Sequence, residues 1–125
     1  MPSSAGPVLV VEDDAAVRDA LKFALEMEGL EVRAYEGGFQ LLAEPSLPTE
    51  GCLVVDYYMP VMTGIALVEH LRLRNVNLPA ILITAKATEE MRRSAARVGI
   101  RQVLEKPLED SSLIDSVRGA LVEHG

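Results

Sequence analysis

Short, unbroken apolar runs alternate with helix-period stretches along this chain. Val8-Leu9-Val10-Val11, Cys52-Leu53-Val54-Val55 and Ala80-Ile81-Leu82-Ile83 each place apolar residues in direct succession, and a weaker run covers Gln102-Val103-Leu104-Glu105. A strand covered on both faces has no polar side to alternate with, so such runs predict buried strands of a parallel sheet. Glu31 to Ala34 reads as a further short strand, second in chain order. Between the strands, Asp14 can cap a helix in which Val17, Leu21, Ala24 and Leu25 share a face and which Gly29 stops. Phe39, Leu41 and Leu42 suggest a brief helix, and Pro45 and Pro48 mark a loop. An irregular stretch from Tyr57 to Gly64 leads into a helix carrying Leu67, Val68 and Leu71, and Pro79 precedes the next strand. A poorly apolar helix runs from Ala87 or Thr88 to about Val98 with Gly99 as its stop. The last helix starts near Asp110-Ser111 and carries Leu113, Ile114, Val117 and Leu121. Five β-α units in a row predict an α/β, doubly wound domain: a parallel sheet with right-handed crossovers and helices on both faces.

The chain's 125 residues form one domain, 1–125, structured from roughly 7 to 122. That length buries roughly two-thirds of the unfolded surface. Tryptophan is absent and aromatics make up 4% of the chain, so the core must be aliphatic. No apolar stretch reaches the length of a membrane span, and Met1 to Gly6 lack the charged and apolar regions of a signal peptide. A cytoplasmic protein with no membrane partner is the expectation. The single Cys52 excludes an internal disulfide, and inside an apolar run it reads as a small buried hydrophobe. A net charge of −7 argues against direct nucleic-acid binding by this domain, which needs clustered Lys and Arg. The basic clusters, Arg72/Arg74 and Arg92-Arg93/Arg97, lie on predicted helices and read as solvated faces, as do His70 and His124.

Three strands run directly into residues suited to phosphate or metal chemistry. Val11 is followed by Glu12-Asp13-Asp14, Val55 by Asp56, and Ile83 by Thr84, while the weaker run ends in Lys106-Pro107. In open α/β sheets, ligands sit in the crevice beyond the carboxyl ends of the strands. Asp-Asp pairs are usually solvated turns with a helix cap, and Asp14 fits that ordinary role. Asp56, however, also directly follows a buried run. Two carboxylates about 4 Å apart repel by roughly 1–4 kcal/mol, and a divalent cation between them turns that cost into binding. Mg2+ typically takes one or two carboxylates, waters and a phosphate oxygen. Asp13 and Asp56 are the expected direct ligands, with Glu12 acting through water. Lys106 would neutralise charge developing on a phosphoryl group, and the Thr84 hydroxyl could donate to a phosphate oxygen.

Taken together, Glu12-Asp13, Asp56 followed by Met59-Pro60 and Gly64, Thr84-Ala85 and Lys106-Pro107 resemble the receiver domain of two-component response regulators. The resemblance covers essentially the whole chain. Cys52 to Asp56, Asn77 to Ile81 and Leu104 to Asp110 look most like receivers of the FixJ kind. It implies a (βα)5, flavodoxin- or CheY-like fold with a five-stranded sheet in the order 2-1-3-4-5, and a cis peptide before Pro107. It further implies that Asp56 is the phospho-acceptor, Asp13 a metal ligand, the Tyr58 backbone carbonyl a further one, Thr84 the switch hydroxyl and Lys106 the phosphate-binding lysine. Mg2+ or Mn2+ would be the cofactor, and a sensor histidine kinase or phosphotransfer protein the partner. The domain would be a phosphorylation-controlled switch with only self-catalysed chemistry, changing its surface around the fourth helix, fifth strand and fifth helix. Homodimerisation through that face is typical of related receivers, although the fourth helix here has few apolar residues. FixJ-like receivers commonly precede a helix-turn-helix DNA-binding domain, which would make transcription regulation the output.

Three positions depart from the family. Val103 stands where many receivers have an inward-swinging Tyr or Phe, so its switch must use a different or reduced movement. Tyr58 and Lys86 stand two residues past Asp56 and Thr84 and would flank an attacking water; a bulky Tyr58 would slow phosphoryl loss. The alternative function is a pseudo-receiver, the same fold acting as a phosphorylation-independent interaction domain. A phosphatase on another doubly wound fold is disfavoured. Tyr58 occupies the place of the second Asp in a common phosphatase pattern, and neither a Walker loop nor G-x-G-x-x-G is present.

Overall fold

The four apolar runs form strands, and the helix-period stretches between them form helices. In this computed structural model, which describes residues 6–124 (110, 123 and 124 in backbone only), β1 is Val8–Val11, α1 Ala15–Met27, β2 Val32–Tyr35, α2 Gly38–Leu42 and β3 Cys52–Asp56. They are followed by α3 Gly64–Leu73, β4 Ala80–Thr84, α4 Glu89–Arg97, β5 Ile100–Glu105 and α5 Asp110–His124. The His124 side chain and residues 1–5 of the expected leaderless start lie outside the described residues. His70 is exposed, as expected. All strand pairs are parallel, in the order β2-β1-β3-β4-β5.

β1, β3 and β4 are buried along their whole length, which is why their sequences do not alternate. Successive side chains still point to opposite faces. Val8, Val10, Val54, Ile81 and Ile83 pack with Leu21 and Leu25 of α1 and Leu113 and Val117 of α5. Leu9, Val11, Leu53, Val55 and Leu82 pack with α2, α3 and α4 through Leu41, Leu67, Leu71 and Met91. Each such buried aliphatic side chain contributes about 2 kcal/mol. Cys52 is fully buried in the first of these cores, and burial pushes its thiol up to about 12.

The helix ends follow side-chain chemistry. Asp14, Thr63 and Thr88 accept the amides of Val17, Ala66 and Met91 as N-caps. Gly29, at φ +83°, ends α1, and Asn75, at φ 63°, ends α3; both residue types tolerate the left-handed turn that a closing helix needs. Two departures from expectation have physical causes. β5 starts at Ile100, and its register with β4 jumps from Ala80–Ile100 to Ile81–Gln102, so Arg101 is an extra, bulged residue. In an unbroken ladder Leu104 would face Thr84; the bulge puts Glu105 there and Lys106 just beyond.

Arg72 is the second departure. It was expected on a solvated face, yet it is half-buried and donates to the carbonyls of Val76 (3.0 Å), Leu78 (2.8 Å), Val98 (3.0 Å) and Gly99 (3.3 Å). Burial lowers its pKa. The guanidinium thus joins the turn after α3 to the turn after α4. Arg74 donates to the Leu42 carbonyl (2.9 Å), whereas Arg92, Arg93 and Arg97 are exposed as expected. Arg72→Met keeps the aliphatic stem and removes all four bonds, and it should lower unfolding free energy by about 2–3 kcal/mol. Urea denaturation measures this; a loss under about 0.5 kcal/mol would mean that the four carbonyls are satisfied without it.

Candidate functional site

The sheet register brings the chemistry-bearing residues to one edge. Val11 pairs with Val55, so Glu12 and Asp56 leave adjacent strands side by side. Asp56 in turn pairs with Ile83, and Thr84 with Glu105, so Thr84 and Lys106 follow on the next strands. Backbone bonds fix these exits. The Glu12 amide donates to the Tyr35 carbonyl (3.1 Å), Tyr57 to Ile83 (2.7 Å) and Lys106 to Thr84 (2.8 Å). The strand order reverses between β2-β1 and β3-β4-β5, which opens the crevice at the carboxyl ends of β1 and β3.

One carboxylate oxygen from each of Glu12, Asp13 and Asp56 lies within 4.8 Å of the others. Glu12 and Asp56 are buried and Asp13 is exposed. The Lys106 ammonium sits 3.0 Å from Asp56 Oδ1 and 3.6 Å from Glu12 Oε1. Glu12 Oε2 accepts the Asp14 amide at 3.1 Å, whereas Glu12 Oε1, also buried, has no hydrogen-bond partner. Burial raises the Glu12 carboxyl, opposed by the Asp14 amide and reinforced by Asp56. Burial likewise raises Asp56 in spite of Lys106, and the charge of Asp13 adds to the rise. For Lys106 burial pulls downward, but the bond and charge of Asp56, joined by Glu12, outweigh it and hold the ammonium charged. A salt bridge alone would lower Asp56. Withdrawal from water thus outweighs the ammonium at Asp56, and the charge of Asp13 adds to it.

Residues 8–118 match the response regulator receiver domain. The chain belongs to that family. It is 35% identical over 122 residues to the transcriptional regulatory protein FixJ of Azorhizobium caulinodans, covering 97% of this chain and 57% of that protein. It is 35% identical over 118 residues to the transcriptional regulatory protein TdiR of Thauera aromatica, covering 94% and 52%. The receiver thus spans about half the length of these curated relatives. Among solved structures, FixJ-N superposes with a TM-score of 0.86 at 34% identity, covering 95% of this chain and 94% of that one. The receiver domain of the Francisella response regulator 1452 gives 0.87 at 27% identity, covering 96% and 100%.

Of the residues expected to form the receiver site, Glu12, Asp13, Asp56 and Lys106 converge. Thr84 is fully buried at the same edge, but its hydroxyl is turned to Lys86, donating to that carbonyl (3.2 Å) and accepting that amide (3.3 Å). Tyr58 is 56% exposed and meets Tyr57 edge-on, ring centres 4.7 Å apart. Lys86 is exposed, and Val103 is half-buried against the core on the α4 side. The peptide before Pro107 is cis, as the family resemblance implied. Gly64 fits where no side chain could: a Cβ there would lie 2.5 Å from the Asp56 carbonyl and 2.8 Å from Leu82.

Two features escaped the sequence reading. The Glu105 carboxylate accepts the Ala87 amide at 2.9 Å, and its only sequence signal is its place directly before Lys106. Val61, in the loop between Asp56 and Gly64, takes φ 75° with its side chain 83% exposed. A β-branched residue in that region costs about 1–2 kcal/mol. Nothing in the sequence announces it.

Val61→Asn should therefore raise unfolding free energy by about 1 kcal/mol in a denaturant titration, because Asn adopts this conformation more readily. An unchanged midpoint would mean that the loop carries no such strain. The Glu12 shift makes a pH-dependent prediction. A carboxyl raised in the folded state stabilises the fold below its ordinary value of 4.5, and that contribution is lost as pH rises through the raised value. Glu12→Gln never acquires the charge. In EDTA it should be more stable than wild type by about 1 kcal/mol at neutral pH, with the gain shrinking toward pH 4. An equal difference at both pH values would contradict this assignment.

Proposed function

We propose that this receiver is a phosphorylation-controlled signalling switch with Asp56 as its phospho-acceptor. The observation that carries the reading is the Lys106 ammonium 3.0 Å from Asp56 Oδ1, beside two further carboxylates at the carboxyl edge of the sheet. Receiver domains of response regulators interact with histidine kinases; a sensor kinase or phosphotransfer protein is the donor proposed here. The Asp56 carboxylate attacks phosphorus, a P–O bond forms, and the P–N bond to the donor imidazole breaks. Such transfer needs chiefly alignment and charge neutralisation. Lys106 holds Asp56 in place and meets the negative charge that builds on the phosphoryl oxygens. A groove of about 350 Å3 between α1 and Pro107-Leu108, floored by Val17, Ala20 and Leu21, ends at Lys106. A donor protein lying there would sit beside Lys106, the ion-pair partner of Asp56.

The residues present fit a divalent cation. Three carboxylates face one another within 4.8 Å, and the buried Glu12 Oε1 has no hydrogen-bond partner, a donor set suited to Mg2+ or Mn2+. Asp13 and Asp56 would hold the ion directly, Glu12 through water and Tyr58 through its backbone carbonyl; when bound, the cation would offset the carboxylate charge and draw a phosphoryl oxygen to Asp56. Thr84 would exchange its bond to the Lys86 carbonyl for one to the phosphoryl group, shifting the loop after β4 and the surface formed by α4, β5 and α5. The exposed residues of α4 are mainly Glu89, Glu90, Arg92, Arg93 and Arg97, so a homodimer on this face would depend on ion pairing. The net charge of −7 supports a domain that does not itself bind nucleic acid. No described helix is long and apolar enough to cross a membrane.

Incubation with Mg2+ and acetyl phosphate, read by intact mass, tests the reading. Wild type should gain one phosphoryl group; Asp56→Asn, or wild type in EDTA, should gain none. No gain in wild type, also with a cognate or surrogate kinase, would favour the pseudo-receiver, which the loss of an aromatic at Val103 keeps open.

A further inference from the structure

Resting on that reading, we infer that Glu105 is a positioning residue that latches the loop between β4 and α4 in its unphosphorylated arrangement. The loop leaves the sheet at Thr84, whose hydroxyl closes a turn on the Lys86 backbone. The next amide, Ala87, is not held by this turn. It donates across to the Glu105 carboxylate of the neighbouring strand at 2.9 Å. Ala87 directly precedes Thr88, the cap of α4, so the same bond also fixes the start of that helix. Thr84 and Glu105 face each other in the β4–β5 ladder, and they do so because of the bulge at Arg101. Lys106, bound to Asp56, is the residue after Glu105. One strand end therefore touches both the acceptor carboxylate and the loop that must move when the acceptor is modified.

Val103 sharpens the role. It lies two residues before Glu105 on the same strand, half-buried and too short to swing between two positions as an aromatic ring can. The link from β5 to the moving loop is then the carboxylate. If Thr84 gives up Lys86 for a phosphoryl oxygen, residues 85–87 shift, and the Glu105–Ala87 bond resists that shift. A bond present in only one of two states biases the balance toward that state. Glu105 is exposed, so its truncation does not open the core.

Glu105→Ala, Glu105→Gln and wild type should be compared in two measurements: amide exchange at Ala87 without phosphodonor, and the rate of phosphorylation by acetyl phosphate with Mg2+. Glu105→Ala should speed exchange at Ala87 about tenfold and phosphorylation about three- to tenfold. Glu105→Gln, which keeps an acceptor oxygen, should stay within about twofold of wild type in both. Unchanged exchange in Glu105→Ala would overturn the latch. Faster exchange with an unchanged phosphorylation rate would overturn its place in the switch. A wild type that takes up no phosphoryl group from acetyl phosphate or from a cognate or surrogate kinase would instead refute the assignment of Asp56, and the latch as a regulator with it.

Discussion

Two buried carboxylates, Glu12 and Asp56, leave adjacent strands side by side with a third, Asp13, close by and one ammonium between them. Burying this cluster with a single ammonium sets the electrostatics of the site. Burial in a shared crevice raises both buried carboxyls and holds Lys106 charged. The sheet imposes the arrangement, because β1 and β3 are neighbours in register and their close-packed side chains are fitted between helices on both faces. Stability invested in the aliphatic core thus maintains a pocket that is electrostatically unfavourable without a cation. Such local cost is common where binding or chemistry is performed.

The same sheet links the pocket to the loop after β4. Asp56 and Thr84 end β3 and β4, Lys106 directly follows β5, and the Lys106 amide is bonded to the Thr84 carbonyl. The loop that follows Thr84 is held by the turn on Lys86 and by the bond to Glu105. By contrast, the opposite ends of α3 and α4 are joined by Arg72 through four carbonyls. One end of the α4 layer is therefore firmly tied, while the end beside the pocket is held by polar contacts that can be exchanged. Movement is expected where exchange is cheap.

The strands and most helix ends were legible in the sequence because both report local physics. Full burial removes alternation from Val8–Val11, Cys52–Asp56 and Ala80–Thr84, and Asp14 and Thr88 sit where a helix needs a cap. The convergence of Glu12, Asp13, Asp56 and Lys106 was legible for the same reason, since strand ends in such a sheet point into one crevice. What could not be read depends on residues far apart in the chain or on conformation alone. Arg72 looked like a surface arginine because two of its four carbonyl partners lie 26 and 27 positions away. The bulge at Arg101, which decides that Glu105 and not Leu104 faces Thr84, is a property of the pairing with β4. Val61 in a left-handed conformation contradicts its own preference, so no pattern of residue types could reveal it.

Calorimetric titration of MgCl2 into wild type and Asp56→Asn addresses the charge imbalance most directly. One ion per wild-type chain at millimolar concentrations, with binding strongly weakened in Asp56→Asn, is expected of carboxylates crowded around too little positive charge. Absence of binding to wild type, or equal binding by both proteins, would contradict it.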